Sequence, residues 1–239
     1  MTDNSMWEHP ANALILRHGG YTLTVIDNPT PHAFSPLPPN DRTRARQVAE
    51  SLLTVESVGA ELDPLPATDI DVAPHHTRSD LEQVHIGCWG PVTEITDAAL
   101  ADRTGFFSLR DQAEELAKAY PNAAILGSAW IDFSIAYSAY VFIHPSGPRL
   151  WADGYSGEGD WDVRDDSVSD VIAAFDAAAD LDSGFAYDAE PGHMQYDAVQ
   201  EACLSALMPR ERRELMLSSF RVTRTQEAID DLEETWLDE

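Results

Sequence analysis

The first apolar runs of the chain are short and rich in β-type residues. They occupy 12–17 and 21–27, and Gly19-Gly20 lies between them. Two glycines between two such runs are typical of a tight hairpin turn. The chain is therefore predicted to begin with a β-hairpin.

The next segments change to helical spacing. Apolar residues within 41–55 recur at i, i+3 and i+4 behind Asp41, a favourable N-cap residue. A strand is predicted at 83–86 and a helix at 91–101. A further helix is predicted at 108–120, where a serine followed three residues later by an aspartate forms a capping box.

The middle of the chain returns to a strand pattern. Residues 123–132 and 134–144 are rich in aromatic and β-branched side chains, and the proline- and glycine-containing segment 145–148 reverses the chain. Residues 149–153 then run back along the second of these segments. This arrangement predicts an antiparallel meander or hairpin.

The last third of the chain shows mainly helical periodicity. One helix is predicted after Ser167, a second around 199–207, a third from Pro209, and a last one capped by Thr223. The predicted fold class is α+β: an antiparallel β-sheet or meander covered by helices, with a largely helical C-terminal third. An α+β domain is predicted for 1–165, with a helical segment, 166–239, packed on the same core.

The net charge is the outstanding feature of the composition. The 239 residues include 42 acidic and 15 basic ones, which gives a formal net charge of −27 and a pI near 4.3. Such a surface repels the phosphates of nucleic acids and anionic lipids, and it attracts basic protein surfaces. No cofactor, direct nucleic-acid binding or membrane binding is predicted.

Location follows from what the chain lacks. No apolar run is long enough to span a bilayer, and the N-terminus has no signal-peptide pattern. Two cysteines, Cys88 and Cys203, are too few for a disulfide framework. We therefore expect a cytoplasmic protein with reduced thiols.

The acids are concentrated in two segments. Residues 153–190 hold twelve acids and one base, Arg164, and seven acids with no base follow Arg224. These acids are predicted to form one continuous face that binds the partner. The predicted partner-binding residues are Asp153, Glu158, Asp160, Asp162, Asp165, Asp166, Asp170, Asp230, Asp231, Glu233 and Glu234.

A zinc site is the first chemical alternative. Imidazole and thiolate groups suit zinc, but the observed spacing matches no standard zinc motif. No metal site is therefore predicted. The candidate ligands would be His75, His76, His85 and Cys88.

Cysteine chemistry is the second alternative. Cys88-Trp89 before a predicted helix resembles the nucleophile region of cysteine proteases and transglutaminases. His144 would serve as the base, but the predicted turn places Asp153 about 13 Å further along its strand. Asp160 is the other acid candidate. The poor placement predicts that Cys88→Ala leaves the biological activity unchanged.

The favoured function is therefore that of an acidic interaction protein, and enzymatic activity is disfavoured. It would bind and inhibit a partner with a basic, nucleic-acid-binding surface, in the manner of DNA mimics, anti-restriction proteins or toxin-immunity proteins. One alternative is a small cysteine- or metal-dependent hydrolase. The other is a halophile-type acidic protein whose charge serves solubility alone.

Overall fold

The computed structural model describes most of the chain. The described residues are 9–15, 17–30, 36–67, 76–102, 107–132, 136–155, 161–182, 184–186, 189–208 and 215–237.

A single antiparallel sheet of ten strands organises the described residues. In chain order the strands are β1 (Gly19–Asp27), β2 (Val55–Glu61), β3 (Leu65–Pro66), β4 (Gln83–Trp89), β5 (Val92–Asp97), β6 (Ala123–Asp132), β7 (Ala136–Ile143), β8 (Arg149–Tyr155), β9 (Trp161–Asp165) and β10 (Met216–Arg224). Their order across the sheet is β2-β10-β4-β5-β1-β6-β7-β8-β9, and β3 also pairs with β10. The first strand of the chain therefore lies in the centre, where it is paired on both sides.

Within the described ranges, five short α-helices cover the sheet. They are α1 (Arg42–Glu50), α2 (Phe107–Ala119), α3 (Val168–Ala174), α4 (Tyr196–Leu207) and α5 (Gln226–Leu232), and a π-helical turn, Glu233–Leu237, continues α5. None of the described helices is long and apolar enough to cross a membrane.

The helices divide between the two faces of the sheet. Successive residues of a strand point to opposite faces, and Val25 and Ile26 accordingly enter two different cores. Apolar residues of α1, α2 and α5 pack with Val25 on what we call the first face. Those of α3 and α4 pack with Ile26 on the second face.

An aromatic stack attaches α4 to the second face. Tyr196, the first residue of α4, lies 4.8 Å from the ring of Trp161 in β9 and 5.8 Å from that of Tyr140 in β7, centroid to centroid. The three rings are nearly parallel, with interplanar angles of 21–28°. The stack therefore joins α4 to the edge of the sheet.

The predicted fold class is wrong. The protein is mostly an antiparallel ten-stranded sheet with few short helices, and its C-terminal third is not clearly helical. That third contributes β10, which lies between β2 and β4. Residues 217–220 of β10 are buried on both faces, so the alternation typical of a half-exposed strand is confined to its last residues, 220–224. The domain boundary near residue 165 stays a prediction.

The predicted hairpin at Gly19-Gly20 is also wrong, because both glycines begin β1. They allow close packing rather than a turn. A Cβ on Gly19 would lie 2.4 Å from the ring of Trp236, and one on Gly20 would lie 2.4 Å from Nε1 of Trp130. Aromatic rings therefore occupy the space that other side chains would need.

Other local predictions have mixed outcomes. The strand predicted at 83–86 is present as part of β4, and the hairpin of β7 and β8 turns at 145–148 as predicted. The helix predicted at 91–101 is wrong, because β5 and a short 3₁₀ turn lie there. Helix α2 begins at Phe107 rather than after a Ser108 cap. The carboxylate of Asp102 accepts the Ser108 N–H at 3.0 Å.

Candidate functional site

The outer layer on the second face is acidic throughout. This layer comprises α3, α4 and the turns that connect them, and we call residues 165–208 the acidic layer. The segment contains ten Asp and Glu residues and no Arg or Lys. Its apolar side chains, such as Val171, Phe175 and Val199, face the sheet. The segment therefore covers the second face of the sheet, and its formally charged residues are all acidic.

Most of these carboxylates are exposed. The exposed acids of the layer are Asp165, Asp166, Asp170, Asp176, Asp182, Glu190, Asp197 and Glu201. None of these eight forms an ion pair with another described residue. Elsewhere, many acids are paired, as in Arg42–Glu61, Arg110–Glu114 and Lys118–Glu115. The acidic layer is therefore the region where exposed acids are concentrated without counter-ions.

Two of the acids have local structural roles. Asp170 completes a capping box with Ser167 at the start of α3. Asp166 Oδ2 accepts the backbone N–H of Arg149 at 2.8 Å. These contacts account for a carboxylate at two positions of the layer.

Asp176 has an unfavourable local setting. It follows Phe175, the C-cap of α3, and has a φ of 54°. Glycine or asparagine is the usual residue at this left-handed position, and a negative charge opposes the helix dipole there. Local stability therefore does not explain an aspartate at this site.

Two predicted partner-binding acids lie near the β8–β9 edge of the sheet. Asp153 in β8 accepts hydrogen bonds from the Tyr137 hydroxyl and, at 2.6 Å, from Trp151 Nε1. Asp162 in β9 pairs with Arg164, whose hydrogen bond lowers the pKa of the Asp162 carboxyl. Both acids therefore already have partners within the protein.

The acids of the C-terminal segment lie elsewhere. Helix α5 packs on the first face, so Asp230 and Asp231 lie across the sheet from the acidic layer. Glu233 lies 3.9 Å from His9, and Glu234 is exposed. The prediction of one continuous acidic face is wrong, because the sheet separates its two halves.

Asp231 is the most perturbed of these carboxyls. Its pKa is raised to about 6, mainly by burial and in part by Asp102 and Glu227. The Ser108 hydroxyl, which donates to Asp231 Oδ2 at 3.4 Å, partly offsets this effect. A group of carboxylates therefore meets at the start of α2.

A buried polar row crosses the second face. His85 in β4 lies between Thr96 in β5 and Ser219 in β10, and its Nδ1 lies 2.9 Å from Ser219 Oγ. Burial lowers the pKa of His85 to about 4. The buried Thr96 hydroxyl has no hydrogen-bond partner among the residues that the structure describes. Polar residues that alternate with apolar ones within 83–97 are the sequence feature that could have predicted this row.

The structure does not bring the cysteine-chemistry candidates together. Cys88 lies in the first-face core 3.8 Å from the Thr93 hydroxyl, and burial raises the pKa of its thiol. Strand pairing places Cys88 level with Ile143, which lies four strands away in β7. Since neighbouring strands are ~4.8 Å apart, the distance from Cys88 to His144, the residue after Ile143, is about 19 Å. Asp160 lies outside the described residues.

His144 has its own local environment. Its Nδ1 lies 2.7 Å from the Ser146 hydroxyl, and its ring packs edge-on against Phe175 at 4.9 Å. Partial burial lowers its pKa. These contacts attach the β7–β8 turn to α3.

The zinc candidates are also separated. His85 points to the second face and Cys88 to the first, since they are three residues apart in one strand. The backbone N–H of His76 donates to Asp80, and His75 lies outside the described residues. Glu158, one of the predicted partner-binding acids, also lies outside them. Within the described ranges, no three His, Cys, Asp or Glu residues are grouped to hold a metal ion.

Comparison with known proteins gives one match. The model of a family of unknown function, DUF6333, matches residues 6–239. No curated protein and no solved structure matches the chain.

Proposed function

The chain belongs to the DUF6333 family, and we propose that this protein binds a partner with a basic, nucleic-acid-binding surface through the acidic layer. The observation that carries the proposal is the uncompensated charge of that layer. Eight exposed carboxylates share it, and none forms an ion pair with a described residue. We place the complex in the cytoplasm.

Electrostatics supports a basic partner. Carboxylates grouped on one side of a sheet sum to a potential that steers a cationic surface into contact. Surfaces that bind nucleic acids are rich in Arg and Lys, because phosphate contacts dominate their affinity. A partner of this kind matches the layer in sign of charge.

Inhibition follows from competition. A carboxylate layer seated on the basic surface excludes phosphates from the same Arg and Lys side chains. The partner should therefore lose nucleic-acid binding when this protein is added. Rising salt should weaken the complex, because exposed charges are screened beyond about 8 Å at 0.15 M.

Two variants with the same net charge test the proposal. The layer variant carries Asp176→Asn, Asp182→Asn, Asp197→Asn and Glu201→Gln. The control variant carries Glu56→Gln, Asp63→Asn, Asp111→Asn and Asp230→Asn, all of them exposed positions outside the layer. Each set removes four acids, so both variants change the formal charge from −27 to −23.

Each protein is used to capture partners from the host lysate at low and high salt. The captured partner is then purified, and its binding to DNA or RNA is measured with each variant present. We expect the layer variant to lose capture and competition, while the control variant behaves like the wild type.

Equal effects of the two variants would mean that net charge alone matters, and the proposal would fail. It would also fail if the captured partner kept its full nucleic-acid affinity in the complex. Circular dichroism and urea unfolding of both variants separate a loss of binding from a loss of fold.

A further inference from the structure

Trp130 in β6 is an exposed aromatic residue on the second face of the sheet. It is 42 % exposed, more than any other tryptophan that the structure describes. Ala124 and Leu126 of the same strand belong to the second-face core, and Trp130 points to that face as well, since alternate residues of a strand share a face. The ring therefore lies on the side of the sheet that carries the acidic layer.

The indole of Trp130 is held in place by its contact with β1. Gly20 is the partner of Trp130 across the ladder, and three atoms of the five-membered ring lie 2.4–3.2 Å from the point where a Cβ on Gly20 would be. Because Gly20 has no side chain, the ring rests on the backbone of β1. An aromatic ring that is already fixed loses little conformational entropy when it binds.

Trp130 adjoins the acidic layer at the start of α4. The register of β6 and β7 makes Trp130 and Tyr140 diagonal neighbours, ~7–8 Å apart. The ring of Tyr140 stacks on that of Tyr196, the first residue of α4, at 5.8 Å. Asp197 follows in α4, and burial together with the Asp197 charge raises the pKa of Tyr140 to about 12. The Asp197 carboxylate therefore lies close to Tyr140, beside the exposed indole.

Asp197 supplies a negative charge next to this ring. It is exposed and forms no ion pair with another described residue. The face of an aromatic ring attracts a cation, and indole does so more strongly than the rings of Tyr or Phe. A carboxylate within reach of the same cation adds a charge-assisted hydrogen bond. Trp130 and Asp197 together therefore suit a positively charged side chain.

Arginine fits this arrangement better than lysine does. Its guanidinium is planar and weakly hydrated, so it can stack on an aromatic ring while its N–H groups donate to a carboxylate. The ammonium of lysine is compact and strongly hydrated, and it has no plane to stack. Trp and Arg are also among the residues that contribute most binding energy at protein–protein interfaces. Charge and shape therefore favour an arginine of the basic partner as the occupant.

We propose that Trp130 and Asp197 hold an arginine side chain of the basic partner, with its guanidinium stacked on the indole and hydrogen-bonded to the carboxylate. The inference rests on the proposed function, because it names a contact through which the partner of the acidic layer is recognised. It adds a specific contact at the margin of the layer to the general attraction between opposite charges.

Fluorine NMR of the full-length protein labelled with 5-fluorotryptophan tests the proposal. The probes are tetra-arginine amide and tetra-lysine amide, which carry equal charge. The chain has six tryptophans, and Trp130→Phe identifies the signal of Trp130. We expect tetra-arginine to shift that signal while the signals of buried Trp89 and Trp236 stay in place. Tetra-lysine should bind at least about threefold more weakly, because it lacks a group that stacks on the ring.

Three variants test the role of the ring. Trp130→Leu leaves the net charge unchanged and should lower the affinity for tetra-arginine by about fivefold, toward that for tetra-lysine. Trp130→Phe keeps an aromatic ring and should lose less affinity. Tyr155→Leu removes a ring of nearly equal exposure, 41 %, which packs against Tyr137 on the first face, and should change nothing.

The role of Asp197 is tested against Asp176, an acid at the other end of the layer. Asp176 follows Phe175, whose ring contacts His144. His144 lies six residues beyond Ser138, the ladder partner of Trp130, which is about 20 Å along β7 at ~3.3 Å per residue. Asp197→Asn should lower the affinity for tetra-arginine more than that for tetra-lysine, whereas Asp176→Asn should lower the two equally.

A Trp130 signal that does not respond to tetra-arginine would overturn the inference, and so would wild-type affinity in Trp130→Leu. Equal affinity of the wild type for the two peptides would exclude an arginine-selective contact. The proposed function is read separately, from the affinity of the layer variant for both peptides relative to that of the control variant. If Trp130→Leu has no effect but only the layer variant binds weakly, the inference alone fails. Equal losses in the layer and control variants would overturn the proposed function, and the inference with it.

Discussion

At the scale of single residues, Asp176 is where local stability and the proposed function conflict. It has a φ of 54° at the end of α3, where asparagine fits better and a negative charge is unfavourable. If the acidic layer binds a basic partner, that cost is offset in the complex.

Asp176→Asn should therefore raise the free energy of unfolding by about 0.5–1 kcal/mol. Urea unfolding of the two proteins at neutral pH and low salt measures the difference. The same substitution should weaken partner capture slightly. A destabilised variant would show that the carboxylate has a structural role absent from the described contacts.

The raised pKa of Asp231 predicts that the stability of the protein depends on pH. Its pKa in the folded protein is about 6 and its ordinary value is 3.8, so the folded state binds the proton more tightly. Between these values stability falls as pH rises, because folding then opposes ionisation. Above about pH 6 the folded protein carries the full cost of the charged carboxylate.

Asp231→Asn removes this cost and should stabilise the protein at about pH 7.5, by up to about 1 kcal/mol after solvent screening. The gain should vanish at about pH 4, where Asp231 is protonated in the folded wild type. Urea unfolding at both pH values measures it. An equal gain at both values would exclude titration of Asp231 as the cause.

At the scale of elements, β10 joins the end of the chain to the rest of the sheet. Its last residue, Arg224, is fully buried and forms an ion pair of 2.8 Å with Asp97 at the end of β5. The same guanidinium donates to the carbonyls of Leu81 and Gln83, and Asp97 also accepts the Thr54 hydroxyl at 2.5 Å. Arg224 therefore links β10 to residues 81–83 and to β5, and Asp97 extends this link to Thr54.

Arg224→Leu should lower the free energy of unfolding by about 3–5 kcal/mol, because it leaves the Asp97 carboxylate buried without its partner. The double variant Arg224→Leu, Asp97→Leu should recover part of this loss, since both charges are then absent. Urea unfolding of the single and double variants checks both statements. A single variant within about 1 kcal/mol of the wild type would contradict them.

The sequence predicted the elements of this region unevenly. Helix α1 and its Asp41 cap and the capping box of α3 occur as predicted, because each depends on residues a few positions apart. Strand β10 and β5 were predicted as helix or as helix connections. Strand β5 is buried on two faces throughout, and β10 is so over 217–220, which removes the period that distinguishes a strand from a helix there.

At the scale of the whole molecule, the formal charge of −27 should act on folding and binding in opposite directions. Repulsion among like charges destabilises the compact state, and salt screens it. Attraction to a basic partner stabilises the complex, and salt screens that as well.

Raising NaCl from about 0.05 to about 0.5 M should therefore increase the urea midpoint of the free protein while it weakens partner binding. The layer variant and the control variant, which have equal net charge, should show similarly reduced salt effects on stability. Only the layer variant should change the salt dependence of binding. Stability that falls with salt would contradict dominant self-repulsion.

The acidity, the density of acids after residue 152 and the local signals for helix caps and turns could be predicted from the sequence, because they depend on composition or on near neighbours. Which distant segments lie together depends on the tertiary structure. The acidic layer and the acids of α5 lie on opposite faces of the sheet, which the sequence did not reveal. The tertiary structure also separated Cys88 from His144, since strand order arises from long-range pairing.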